Sequence, residues 1–324
     1  MIRISRRSLT LGATTLPMTV QAQAVWPTRP VRLVVAFAAG GGVDLLARIV
    51  GRQFERGFSQ PFPVDNRTGA GGQIGTDLVA KSPGDGYTLL ATSSAAHGVA
   101  PGLYPNQPYD AVRDFTHIGL IASGPIAFMV NAQSPYRTLA DFIAAARAKG
   151  SPMTFGSGGT GSVGHLTGEL VYRRIGIEMT HVPYRGSAPA QADLIGRNID
   201  AISDNLSTHA ALVGSGTLRL LAVASRARHP SYPDVPTFAE LGYPDLVAAA
   251  WFGLCSAPGL PRPIVDRLNS ALRVATQKPE VKEQIETLGL RAEGGMSPAE
   301  YGAFVSEEVS RWREVVQMAD VKMD

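Results

Sequence analysis

The stretch FAAGGGVDLLAR, Phe37 to Arg48, joins the apolar run VRLVVAF to an amphipathic segment through three consecutive glycines. An uninterrupted apolar run is typical of a strand that is buried on both faces of a parallel sheet. The segment after the glycines places Leu46, Ile49, Val50 and Phe54 on one side of a helix. The sequence therefore predicts a buried strand, a tight glycine turn and a helix, in that order.

A second stretch, MTFGSGGTGSVGHL at 153–166, repeats this order. A glycine turn at the start of a helix presents several backbone N–H groups to one point, and the helix dipole adds partial positive charge there. Such a site can bind a carboxylate as well as a phosphate, so two facing turns can hold a ligand with a carboxylate at each end. The alternative is that both stretches are only tight turns.

The second turn also fits the dinucleotide fingerprint GxGxxG at Gly156, Gly158 and Gly161. In that motif an acidic residue at the end of the next strand binds the ribose. Here Glu178 lies near the start of the next predicted strand, and the end of that strand carries Pro183, Tyr184 and Arg185. The first turn lacks both the fingerprint and the GK[ST] of a P-loop. A nucleotide is therefore the weaker interpretation, and no cofactor is expected.

Strand-like and helix-like segments alternate along the chain and restart near residue 153, which indicates two α/β lobes, each a mainly parallel sheet flanked by helices. Apolar runs near 118–130 and 248–256 join the lobes as two connecting strands. The region 115–132 is expected to form two adjacent strands, and two helices are expected to end the chain. In such a fold a ligand lies beyond the carboxyl ends of the strands, where both glycine turns are predicted. The predicted boundaries are 25–125 with 249–324 for the first lobe and 126–248 for the second.

The first 24 residues are typical of an export signal. Arg3, Arg6 and Arg7 form a basic start, LTLGATTLPMTV is a short apolar stretch, and cleavage is expected near Ala24. The paired arginines in a serine-flanked context favour the twin-arginine route, and an ordinary secretory signal is the alternative. We therefore expect a periplasmic protein that begins near Val25.

The charge balance excludes one class of partner. The chain has 30 Lys and Arg against 27 Asp and Glu, and loss of the three arginines of the signal leaves 27 of each. The mature protein is then formally neutral, so neither nucleic acid nor an anionic membrane is an expected partner. A single cysteine, Cys255, excludes an intramolecular disulfide.

Polar side chains near the predicted turns are further candidates for the site. Ser93 and Ser94 end a predicted strand on the cleft side, and their hydroxyls can donate to a carboxylate. Hydroxyls in the second turn can do the same, or they can cap its helix. Asp44 and Asp204 can complement a helix dipole or accept from a ligand hydroxyl or amino group. Arg185 is either the partner of a second carboxylate or a solvated loop residue.

No motif supports catalysis or a metal site. Ser162 lies in TGSVG, which departs from the GxSxG of a nucleophile elbow. The six histidines are dispersed, without an HxH or HExxH pair. His165 is expected to face the cleft or to pack as a polar residue. We therefore predict no base–nucleophile pair, no metal ion and no enzyme activity.

Together these motifs resemble one family, the tripartite tricarboxylate transporter receptors, also called TctC-like or Bug solute-binding proteins. The resemblance covers nearly the whole mature chain. It rests on FAAGGGVDLLAR, DNRTGAGGQIGTDLVAKSPGDGYTLL, FGSGGTGSVGHL, VPYRGSAPAQADLIGRNIDAISDN and PDVPTFAELGYPDL followed by WFGL. One difference is that Ala36 and Ala38 stand where the family usually has prolines, on either side of the residue that matches Phe37.

The resemblance implies a two-lobed periplasmic-binding-protein fold of type II, the Venus-flytrap fold, without catalytic activity. It implies a monomeric receptor that binds a small carboxylate, or an acidic amino acid, largely through backbone N–H groups and delivers it to a two-component membrane permease. The alternatives are an exported cofactor-binding oxidoreductase and a ligand-sensing protein for a signalling partner. The expected ligand-binding residues are Phe37, Ala39, Gly40, Gly41, Asp44, Ser93, Ser94, Ser157, Thr160, Gly161, Ser162, His165, Tyr184, Arg185 and Asp204.

Overall fold

A computed structural model describes residues 26–321 of the protein, so the predicted signal lies outside the described residues. The first part contains β1 (Arg32–Val35), α1 (Gly42–Phe58), β2 (Val64–Asn66), a 3-10 turn (Ala70–Gly72), α2 (Gln73–Ala80), β3 (Thr88–Ser93), a π-helical segment (Ser94–Val99) and α3 (Ala100–Leu103). Strand β1 lies between β2 and β3 and is parallel to both. The predicted strand, turn and helix around the first glycines are therefore confirmed.

The middle part repeats this pattern. It contains β4 (Thr116–Asn131), α4 (Leu139–Ala148), β5 (Met153–Ser157), α5 (Val163–Ile175), β6 (Met179–Pro183), α6 (Ser187–Ile195), β7 (Ala201–Asn205), α7 (Leu206–Gly214) and β8 (Leu218–Val223). Strand β5 is parallel to its neighbours β6 and β7. The carboxyl ends of these three strands therefore lie at one edge.

The C-terminal part returns to the first strands. It contains β9 (Ala249–Ser256), α8 (Arg262–Gln277), α9 (Pro279–Thr287), β10 (Arg291–Ala292) and α10 (Pro298–Ala319). The prediction of two closing helices was incomplete, because α9 and β10 lie between them. Strand β9 is antiparallel to both β3 and β4, and the strand order is β2-β1-β3-β9-β4-β7-β5-β6.

Strand β4 is one strand of 16 residues, so the prediction of two adjacent strands at 115–132 was wrong. Its pairing with β9 runs from Thr116 to Pro125, and its pairing with β7 and β8 runs from Ile126 to Asn131. Gly124 and Pro125 interrupt the sequence pattern, but the chain stays extended because a new set of partners begins there. Strand β4 thus joins a first sheet, with β1–β3, β9 and β10, to a second sheet, with β5–β8.

A shared apolar cluster packs together elements that follow strands of the two sheets. It includes Val99 and Leu103 after β3, Val163 and Leu166 at the start of α5, and Trp312 on α10. All five side chains are buried. The segment after β3 and the first turn of α5 are therefore held in one packed unit. Among the described helices, none is long and apolar enough to cross a membrane.

Candidate functional site

The candidate site lies at the carboxyl ends of the parallel strands in both sheets. Strand β1 ends at Val35, and the first loop, residues 36–41, leads directly into α1. Strand β5 ends at Ser157, and the second loop, residues 158–162, leads directly into α5. Both loops therefore connect a buried strand to a helix start, which is the position where ligands bind in open α/β sheets.

A buried carboxylate holds the first loop in shape. Asp44 Oδ2 accepts from the Gly40 N–H at 2.9 Å, and the Arg48 guanidinium donates to both oxygens at 2.9 Å. Asn66 Nδ2 donates to Asp44 Oδ1 and to the Phe37 carbonyl, each at 3.0 Å. The hydrogen bond from Arg48 lowers the pKa of Asp44 to about 2, assisted by Gly40 and Asn66 and opposed by burial. Asp44 therefore braces the loop, and direct ligand contact by this residue stays a prediction.

The unpartnered amides next to the first loop belong to the first turn of α1, directly after the predicted Gly40 and Gly41. The Gly40 N–H is used by Asp44, and the Gly41 N–H donates to the Ala38 carbonyl at 3.4 Å. The next three amides, those of Gly42, Val43 and Asp44, find no acceptor among the described residues. Because no side chain caps the helix start at Gly41, these three N–H groups remain available to an anion.

Two predicted serines lie next to the first loop, because β3 pairs with β1. The Ser93 hydroxyl makes no hydrogen bond within the described residues, although the side chain is buried. The Ser94 Oγ accepts from the Trp251 N–H at 3.4 Å and begins the π-helical segment. The Ser93 hydroxyl is therefore free both to donate and to accept, whereas Ser94 Oγ already accepts one hydrogen bond and keeps only its O–H to donate.

Side chains rather than backbone alone organise the second loop. Ser162 caps α5, since its Oγ accepts from the His165 N–H at 3.1 Å. His165 Nδ1 in turn accepts from the Gly161 N–H at 3.0 Å. Ser157 Oγ lies 2.8 Å from His181 Nε2 and 3.4 Å from Ser162 Oγ. Four of the predicted residues therefore lie in one network, together with His181, which sequence reasoning missed.

The two histidines of this network stack on each other with ring centroids 3.7 Å apart. Burial, assisted by the nearby His165 and opposed by Glu169, lowers the pKa of His181 to about 4. The other ring nitrogen of His165 lies 3.6 Å from Glu169 Oε1. Burial raises the pKa of Glu169, but hydrogen bonds from His165 and Tyr172 outweigh burial and lower the pKa. His181 is therefore uncharged near neutral pH, and the ionised carboxylate of Glu169 lies beside His165.

The second loop also leaves helix-start amides unpartnered. The amides of Gly159, Gly161 and Ser162 donate within the loop. The N–H groups of Thr160, Val163 and Gly164 find no acceptor in the part of the chain that the structure describes. Gly164 packs closely on β7, because a Cβ there would lie 2.4 Å from the Ser203 carbonyl oxygen. The free amide of Gly164 is therefore held in place by packing against β7.

Asp204, at the end of β7, has its carboxylate largely occupied. Its oxygens accept from the Ser187 hydroxyl at 2.5 Å and from the Asn205 N–H at 2.8 Å. His209 Nε2 lies 3.3 Å away, and both side chains are buried. Ser187 and His209 were missed by sequence reasoning, since only the adjacency of β7 to α6 and α7 brings them to Asp204. A ligand contact by Asp204 stays a prediction.

Tyr184 and Arg185 follow β6 beside the second loop, and the Gly186 N–H donates to the Gly158 carbonyl at 3.1 Å. The Tyr184 hydroxyl donates to Asp193 at 2.6 Å, and burial together with Asp193 raises its pKa to about 12. Arg185 is exposed and makes no hydrogen bond or ion pair with another described residue. Arg185 is therefore available to a ligand, whereas Tyr184 is already engaged.

The prediction that no base and nucleophile come together was wrong. Strands β5 and β6 pair with Phe155 opposite His181, which brings His181 to the Ser157 hydroxyl. Within residues 26–321, however, no carboxylate contacts the other nitrogen of His181, so the orienting third group of a catalytic triad is missing there. The described residues contain no cluster of three or more side chains suited to a metal ion.

Two surface depressions lie away from these loops, one beside Phe58 and Arg267 and the other beside Tyr172 and Ile177. Neither is bordered by the unpartnered amides. The chemistry of the loops therefore identifies the candidate site, rather than the shape of a cavity.

Comparison with known proteins gives consistent matches over most of the chain. A family model described as tripartite tricarboxylate transporter family receptor matches residues 46–321. Protein BugT of Bordetella pertussis is 36% identical over 299 residues, which cover 92% of this chain and 91% of BugT. The solved structure of R. palustris Rpa4515 with adipate has 35% identity and a TM-score of 0.80, and the match covers 92% of this chain and 99% of that one. MatC from Rhodopseudomonas palustris with bound malate has 31% identity and a TM-score of 0.76, with 90% and 100% covered.

Proposed function

Because the chain belongs to the tripartite tricarboxylate transporter receptor family, a family of periplasmic solute-binding proteins, we propose that it captures a small organic carboxylate between two lobes and delivers it to a two-component membrane permease. The observation that carries this proposal is the pair of helix starts with unpartnered amides, at Gly42–Asp44 and at Val163–Gly164. Two carboxylate-bound neighbours, with adipate and with malate, support the same ligand class.

The chemistry of the site explains why it would select carboxylates. A buried carboxylate is costly unless its oxygens accept hydrogen bonds, and free helix-start amides supply these without a fixed charge. Exposed Arg185 and the free Ser93 hydroxyl add one cation and one donor. A ligand without an anionic group would leave the amides unsatisfied, and its binding would be correspondingly weak.

We further propose that ligand binding closes the two lobes. The first lobe would comprise 25–125 and 249–324, and the second 126–248. Support comes from β4, which changes its partners between Pro125 and Ile126, and from β9, which begins at Ala249. A ligand held by one loop gains the donors of the other loop only on closure, and this difference in contacts favours the closed state.

Residues 1–24 are proposed to direct export and to be removed before Val25. Support comes from the basic start and short apolar stretch, and from a family whose members work in the periplasm. Mass spectrometry of the protein from a periplasmic extract would give the first residue. Replacement of Arg6 and Arg7 by lysines would block export by the twin-arginine route and leave the general secretory route working.

The deciding experiment is native mass spectrometry of the mature protein, followed by thermal-shift screening. The screen covers mono-, di- and tricarboxylates, acidic amino acids, aromatic acids and nucleotides. A carboxylate that raises the melting temperature supports the receptor function and identifies the substrate class. A bound flavin or reduced nicotinamide, visible as absorbance above about 300 nm, would favour the oxidoreductase alternative instead.

A further inference from the structure

An aromatic ring lies beside the free amides of the first loop and has no part in the contacts described so far. Side chains alternate along β9, and Leu254 packs in the core with α1 and α8 while Trp251 and Cys255 pack on the side of α10. Phe252 is on the same face as Leu254, two residues nearer the cleft end of the strand. The ring of Phe252 is therefore directed towards the first turn of α1.

The contact with that turn is direct. A Cβ added to Gly42 would lie 3.5 Å from Phe252 Cζ, so the ring edge is in van der Waals range of this backbone. Phe252 also packs in a small cluster with Val43. Its side chain is only partly buried, although the neighbours Trp251 and Gly253 are buried. An exposed apolar surface therefore lies next to the unpartnered amides of the first turn of α1.

A polar donor lies on the same face. Ser93 is paired directly with Phe252 across β3 and β9, and directly opposed residues of antiparallel strands point to the same side. The Ser93 hydroxyl has no partner among the described residues. A ligand carboxylate bound by the α1 amides and Ser93 would therefore bring the adjoining carbon chain against the Phe252 ring.

We infer that Phe252 is a specificity-determining residue, which selects organic acids whose carbon chain next to the carboxylate is apolar over acids that carry hydroxyls there. This inference rests on the proposed function. A methylene chain loses unfavourable contact with water when it packs on the ring, which increases affinity about fourfold for each buried methylene. A hydroxyl in the same place would lose its hydrogen bonds to water and would contact only the apolar edge of the Phe252 ring.

The test uses two matched pairs of acids, succinate against tartrate and adipate against galactarate. The members of each pair have the same chain length and charge and differ only in hydroxyl groups. Isothermal titration of the full mature protein is expected to give at least about tenfold tighter binding of the unsubstituted acid in the pair that binds. Equal or tighter binding of the hydroxylated acid would overturn the inference while leaving the receptor function intact.

Variants at the ring complete the test. In Phe252→Ser, the ratio of affinities for the unsubstituted and the hydroxylated acid is expected to fall at least about tenfold. Phe252→Leu keeps an apolar side chain and is expected to retain most of this preference. An unchanged preference in a folded Phe252→Ser protein would contradict the role of the ring. If that variant does not fold, Phe252→Gln is judged by the same criterion. If none of the four acids binds, the inference is overturned; failure of the whole carboxylate panel would overturn the receptor function as well.

Discussion

At the scale of single residues, the predicted glycines Gly40, Gly41 and Gly161 mark the site, but their amides are not its free donors. The amides of Gly40 and Gly161 donate to Asp44 and His165 inside the protein, and the free N–H groups belong to the residues that follow. Gly161 has a φ of +73°, which only glycine adopts without strain, so substitution there would disturb the loop as well as the ligand. A neighbouring position is therefore a cleaner probe of the anion site.

Thr160 is that position, because its side chain is exposed and its amide is unpartnered. Thr160→Asp would place a negative charge beside the amides, and like charges a few ångströms apart near a surface repel by about 4 kcal/mol before screening. We expect carboxylate affinity to fall at least tenfold, that is by about 1.4 kcal/mol or more. The measurement is titration of the acid found in the thermal-shift screen.

The matched control is Thr160→Asn, which has nearly the same shape without the charge. It is expected to bind within about threefold of the wild type, since a neutral side chain costs little there. If the Asp and Asn variants bind equally well, the second loop does not hold the carboxylate.

At the scale of elements, both strand–loop–helix units could be predicted, because an apolar run followed by glycines and a 3.6-residue period is a strong local signal. The network around His165 could not, since it depends on the register that sets Phe155 of β5 opposite His181 of β6. The π-helical segment that begins at Ser94 also escaped prediction, because no residue pattern distinguishes it from an ordinary helix start.

Close packing of α5 on β7 makes a further prediction. Gly164→Ala would place a methyl group 2.4 Å from the Ser203 carbonyl oxygen, so the helix start must move. Overpacking of this kind destabilises by about 1–3 kcal/mol. Urea unfolding should report that loss, and titration should report weaker carboxylate binding because the free amides shift. Gly150→Ala is the control, since nothing lies within 4 Å of its Cβ position, and it should change neither quantity.

At the scale of the whole molecule, buried histidines predict acid sensitivity. Burial lowers the pKa of His97 to about 3 and that of His181 to about 4, both below the usual 6.5. The unfolded chain therefore binds more protons than the folded one between about pH 6.5 and 4. The free energy of unfolding should be highest above about pH 6.5 and fall on acidification, by up to about 1.4 kcal/mol per pH unit for each histidine.

Urea unfolding at steps from pH 8 to pH 4 measures this slope. The fall in unfolding free energy should be less steep in His181→Gln than in the wild type over this range, because one of the histidines whose pKa is lowered by burial is gone. A wild-type protein whose unfolding free energy does not change between pH 6.5 and 4.5 would show that these histidines are protonated in the folded state.

The two-lobed fold could be inferred from the restart of the strand–helix alternation near residue 153, but the way the sheets are joined could not. The long strand β4 belongs to both sheets. Gly124 and Pro125 interrupt its apolar pattern, so the sequence does not show that it is one strand. Partner exchange in mid-strand depends on β7, β8 and β9, which lie far along the chain from β4.

The position of β9 late in the chain also determines the order in which the two sheets can form during synthesis. The second sheet is built from β4 to β8, which form one unbroken stretch ending at Val223, so it can assemble while the ribosome is still at work. The first sheet is different, since β3 pairs with residues up to Ser256, more than 160 positions later. Until that segment emerges, the hydrogen-bonding edge of β3 has no native partner, and an unpaired strand edge is open to non-native strand pairing.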